Sequence, residues 1–147
     1  MIFTPGAYLK HRRTAAGLAI VDVAAQLVTE PRMAEHVRAE WIELIEADVH
    51  PATFHTIVAL RCAYPFSLDV LERLVAIHMG APYKAPQLCR ICACSECDPC
   101  VDTVAHSCCA WAGPDLCTGC RDDDPITQVA RIHAAAGNSA VEQSAAA

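Results

Sequence analysis

The sequence predicts a mainly α fold: a five-helix bundle followed by a small Cys-rich module. Three observations carry that expectation. Five stretches before residue 80 repeat apolar residues at helical spacing. Nine of the ten cysteines fall between Cys89 and Cys120, leaving only Cys62 outside. Between the two regions, residues 81–86 hold two prolines and read as a linker.

The helices follow in order. The first is expected over Ala7–Ala16, with Pro5 at its start and Gly17 as its stop. Tyr8 and Leu9 share its apolar side, and Lys10, His11, Arg12 and Arg13 form a basic run. The second spans Ala19–Leu27 and carries Val23, Ala24 and Leu27. A third, Ala34–Ala47, shows an apolar stripe of Val37, Trp41, Leu44 and Ile45. A fourth, Ala52–Arg61, is expected to bury Phe54, Ile57, Val58 and Leu60. Ser67 caps a fifth, which carries Leu68, Leu71, Leu74 and Val75 and stops at Gly80. The domain plan is therefore residues 1–80, a linker at 81–86, the Cys module at 87–121, a short helix at 122–136 and a disordered tail at 137–147.

Charge and composition exclude some classes. The chain has 147 residues, of which 54% are hydrophobic, which is ample for a core built largely of small side chains. Its formal net charge of −6 is the wrong sign for a protein that coats nucleic acid indiscriminately. Neither a signal-peptide pattern nor an apolar run of ~18 residues is visible. The expectation is a soluble, cytoplasmic protein, where clustered thiols are metal ligands rather than disulfides.

The module reads CRICACSECDPCVDTVAHSCCAWAGPDLCTGC. Its Cys-x2-Cys pairs at both ends predict a tetrahedral site of four thiolates: Cys89, Cys92, Cys117 and Cys120. A second ion would draw on Cys94, Cys100 and Cys109, with Cys97, His106 or Cys108 as the fourth ligand. One or two zinc ions are expected. An iron–sulfur cluster ranks below zinc, because the run from Cys94 lacks a fourth Cys followed by Pro. A catalytic zinc would need an open position and a base; Glu96 and His106 are the candidates, and nothing in the sequence places them there, so no enzyme is expected. Trp111 is expected as a lid over the sulfurs and Cys62 as a small core residue. The histidines at 11, 36, 50, 55, 78 and 133 show no ligand spacing.

The run YLKHRRTAAGLAIVDVAAQL, with WIELIEAD and HPATFHTIVAL, resembles the Cro/XRE-type helix-turn-helix family over residues 6–76. The resemblance implies a bundle of helix-turn-helix type that binds double-stranded DNA, with Arg32, His36 and Arg38 near bases and Lys10, Arg12 and Arg13 at the phosphate backbone. Glu40, Glu43 and Glu46 oppose phosphate, so useful affinity would need a homodimer. The Cys pattern formed by Cys89, Cys92, Cys94, Cys100, Cys109, Trp111, Asp115, Leu116, Cys117 and Cys120 resembles a module of small phage and prophage-like proteins. Together these imply a transcriptional regulator of mobile-element origin. The alternative is a protein-interaction or structural protein that reuses the helical fold without touching DNA. Seven Lys or Arg against nine Asp or Glu in residues 1–80 favour that alternative.

Overall fold

The structure, a computed structural model, describes residues 3–102 and 106–121. The helix and tail expected from residue 122 onward lie outside the described residues.

Five helices form in the expected order: α1 Pro5–Ala15, α2 Ile20–Gln26, α3 Glu35–Glu46, α4 Phe54–Ala63 and α5 Leu68–His78. Local chemistry sets their ends. Thr4, Thr53 and Ser67 each accept a backbone N–H from the first turn of the helix that follows, satisfying donors that the helix itself leaves unpaired. Asp22 does the equivalent in α2, where its carboxylate accepts the Ala19 N–H at 2.7 Å. Gly17 and Gly80 follow α1 and α5 at φ +73° and +90°, the left-handed conformation that ends a helix at least cost in glycine.

Among the described residues, short strands are confined to the Cys-rich region: β1 Val101–Asp102, β2 Ser107–Cys108, β3 Trp111–Gly113 and β4 Leu116–Cys117. β1 pairs antiparallel with β2 and β3 with β4, and a 3-10 turn, Thr118–Cys120, follows. Among the described residues, no helix is long and apolar enough to cross a membrane.

The chain forms two compact units, the first ending at Pro99 and the second beginning at Cys100. The core of the first is a single cluster. Tyr8, Leu9, Val23, Ile42, Leu60 and Leu74 bring all five helices to it, and Leu88 and Ala93 belong to the same cluster. At the crossing of α1 and α3 the backbones nearly touch: a Cβ on Gly6 would lie 2.3 Å from the Ile45 carbonyl oxygen.

Several side chains expected in the core are outside it. Phe54 is 74% exposed and Val58 47%, while Val37, Leu44, Leu68 and Val75 are also exposed. Cys62, expected as a core residue, is exposed as well. The physical reason lies in phase. In α4 the inward side is drawn through Thr56 and Leu60, four residues apart, so Phe54 and Val58 fall on the opposite side.

Candidate metal centre

Each unit contributes its own set of thiols. In the first, the sulfurs of Cys89, Cys92 and Cys94 lie within 4.8 Å of one another, and all three residues are buried. The chain achieves this by folding tightly back. The Ala93 N–H donates to the Cys89 carbonyl at 2.8 Å, and the Cys89 N–H to the Cys94 carbonyl at 3.0 Å. Ala93 takes φ +55°, a left-handed conformation that costs a non-glycine residue about 1–3 kcal/mol and persists only where its surroundings enforce it. That turn brings the third thiol onto the first two.

In the second unit the sulfurs of Cys100, Cys109 and Cys117 likewise lie within 4.8 Å of one another. Cys100 and Cys109 face each other through two bonds. The Cys109 N–H donates to the Cys100 carbonyl at 2.8 Å, and the Cys100 N–H to the Cys109 sulfur at 3.2 Å. N–H donors aimed at sulfur are how proteins stabilise metal thiolates. β4 carries Cys117, with Trp111 opposite it in the ladder. A Cβ on Gly119 would meet Cys109, Cys100 and Cys117 at 3.7–3.9 Å, so the glycine backbone lies directly against this triad.

All ten cysteines are free thiols. A ZnS4 tetrahedron with ~2.3 Å bonds has edges of about 3.8 Å, well inside the spacing of both triads. These clustered cysteines can hold a metal ion. Taken by itself, each unit supplies three of the four thiolates that a closed tetrahedral site requires.

Spacing places Cys94 with the second ion; the Ala93 turn also brings its sulfur within 4.8 Å of those of Cys89 and Cys92. Cys120 is buried on the 3-10 turn. Cys97, Cys108 and His106 are exposed, and His106 adopts φ +49°. Trp111 is half-buried.

The basic residues expected at DNA are placed unexpectedly. Arg12, Arg13 and Arg38 are only 6, 5 and 9% exposed. Arg13 grips Glu46 with two bonds, Nε to Oε1 at 2.7 Å and NH2 to Oε2 at 2.8 Å, and donates a third to the Leu18 carbonyl. This grip on Glu46 raises the Arg13 pKa. Burial, with the Glu46 carboxylate second, raises that of Tyr64. Arg38 donates to the carbonyls of Ala24 and Met33, both at 2.8 Å, and so caps the last turn of α2. Arg12 reaches the Pro65 carbonyl and pairs with Asp98 at 2.8 Å. A guanidinium buried among such partners presents little to a base or a phosphate. Lys10, Arg32 and His36 are exposed, but so are Glu35, Glu40 and Glu43 on α3.

Sequence reasoning missed Glu46, Asp98 and His11 as partners. His11 Nδ1 lies 2.8 Å from the Ile91 carbonyl, and its ring meets Phe3 edge-on. Compared with known proteins, the chain matches no family model, no curated protein and no solved structure.

Proposed function

We propose that the protein is a zinc-thiolate protein whose helical unit works by contact with another protein rather than with DNA. Zinc is the ion because the donors are clustered thiolates, the set that structural zinc sites use. Cys89, Cys92 and Cys94 serve one ion; Cys100, Cys109 and Cys117 serve the other. The fourth ligands are to be sought among Cys97, Cys108, Cys120 and His106, the thiols and imidazole outside both triads.

The single observation that carries the interaction reading is the fate of the arginines. Arg12, Arg13 and Arg38 have partners inside the protein, while α3 exposes Glu35, Glu40 and Glu43. Phosphate recognition needs the reverse: free cations outside and few carboxylates. Exposed apolar side chains at Val28, Phe54 and Val58 suit a protein partner better than a nucleic acid.

A second reading, a DNA-binding regulator of mobile-element origin acting as a homodimer, is favoured by one arrangement. Arg38 ties α2 to α3 across the turn between them, and Arg32 and His36 stand exposed just before and at the start of α3. A gel shift of wild-type protein against genomic fragments at low salt separates the two. Absence of any complex is expected. A complex that weakens steeply with added salt would restore the regulator reading.

A further inference from the structure

We infer that the Cys89–Cys92–Cys94 triad closes the core of the helical unit, so that a metal ion held there decides whether α1 stays docked. This rests on the zinc-thiolate reading above and goes one step beyond it, by making the ion an input that the helical unit senses.

The segment carrying the triad is built into the first unit. Leu88, just before Cys89, and Ala93, between Cys92 and Cys94, are 6% and 1% exposed and lie in the core cluster with Tyr8, Leu9 and Leu74. Ile91, inside the Cys89–Cys92 turn, uses its carbonyl to meet His11 of α1. Asp98 closes a tight turn with Ser95, through reciprocal N–H to carbonyl bonds of 3.2 and 3.3 Å, and pairs with Arg12 of α1. Two adjacent residues of α1 are therefore fixed by the two ends of this one segment.

The same helix organises the rest of the unit. Tyr8 accepts the Ser67 N–H at 2.9 Å, which holds the start of α5. Arg13 holds Glu46 on α3, and the Gly6 N–H donates to the carboxylate of Asp48, just after α3, at 2.7 Å. Loosening the segment at residues 88–98 thus removes supports from the helix on which α3 and α5 depend.

The segment has little regular secondary structure to keep its shape. It holds no helix and only an isolated bridge between Ser95 and Asp98, and its Ala93 is held at a strained φ. A metal ion bonded to Cys89, Cys92 and Cys94 supplies the missing constraint, since it binds the folded arrangement and not the open one. Without it, Leu88 and Ala93 are free to leave the core, and Arg12 loses its carboxylate. Chelators or thiol oxidants would then loosen the helical unit without touching any of its helices directly.

The test is hydrogen exchange of the full chain, loaded with zinc, then stripped with EDTA, then reloaded. At free zinc about a hundred times its Kd, binding favours the closed state about hundredfold. Amides of α1 and residues 88–98 should exchange about hundredfold faster on stripping and recover on reloading. Cys89→Ser should leave α1 in the fast state at every zinc concentration, whereas Cys109→Ser should leave α1 protected. Zinc bound and removed with no change in α1 protection would overturn the inference while leaving the zinc reading intact. Equal loosening by both variants would overturn the assignment to this triad. A purified chain that binds no zinc at all would sink both.

Discussion

In the first unit, Tyr8, Leu9, Ile42, Leu60 and Leu74 are almost inaccessible and come from four different helices. In the second, the buried side chains among the described residues are Leu116, Cys117 and Cys120. The contrast shows two ways of meeting one cost. Ordering a chain loses about 1–2 kcal/mol per residue in backbone entropy. The helical unit offsets this with hydrocarbon, each buried Leu or Ile contributing about 1.5–3 kcal/mol. Two ladders of two or three residues bury little hydrocarbon, with Leu116 the one buried aliphatic side chain among the described residues of this unit, and a lone two-stranded pair is marginal in water. On the zinc-thiolate reading proposed above, metal bonds to its sulfurs make up the difference in the second unit.

The largest effect should come from taking the metal away. Apparent binding of structural zinc is worth ~10–16 kcal/mol in small peptides. Chelation is expected to abolish the β1–β2 and β3–β4 pairings, read as loss of dispersion in the amide spectrum, while most of the helical dichroism remains. Elemental analysis should find one or two zinc ions per chain. Iron with labile sulfide would break the comparison at its root.

Next come substitutions within the helical core. Leu60→Ala should lose about 2–5 kcal/mol in urea unfolding. Arg13→Ala should lose about 3–5 kcal/mol, because it strands the buried Glu46 carboxylate. Replacing both members, Arg13→Met with Glu46→Leu, should recover much of that loss. If Arg13→Ala were harmless, the buried pair would not be among the features that set the first unit apart.

A smaller, pH-dependent effect sharpens the contrast. Burial pushes the Tyr8 hydroxyl from 10.0 to about 12, a shift equivalent to about 2–3 kcal/mol. The folded state holds the proton more tightly than the unfolded one. This stability is fully present below pH 10 and is lost as the pH rises towards 12. Thermal melts across that window should fall in wild type and fall less steeply in Tyr8→Phe, which gives up the bond from Ser67 at every pH.

The smallest effect is expected where the sequence suggested a large one. Phe54→Ala should change stability by no more than about 0.5 kcal/mol, as surface substitutions do, because the ring is 74% exposed. A loss comparable to that of Leu60→Ala would mean that α4 buries its other side against something else.

Much of this molecule was legible in one dimension. Each of the five helices was readable from apolar spacing together with local stop and start signals, Ser67 and Gly80 being the plainest pair. The cysteines most useful to a metal were readable from their spacing alone. These are local properties: periodicity and short turns depend on residues a few positions apart. What only the tertiary structure decided is which polar residues go inside. Arg13 meets Glu46 across 33 positions of sequence, and Arg12 meets Asp98 over a longer span still. A basic run on a helix looks the same in sequence whether it faces water, phosphate or a buried carboxylate. The Cys94 thiol carries the same lesson at short range. Spacing linked it to the later cysteines; its closeness to Cys89 and Cys92 depends on a left-handed turn at Ala93, a residue type that rarely adopts one.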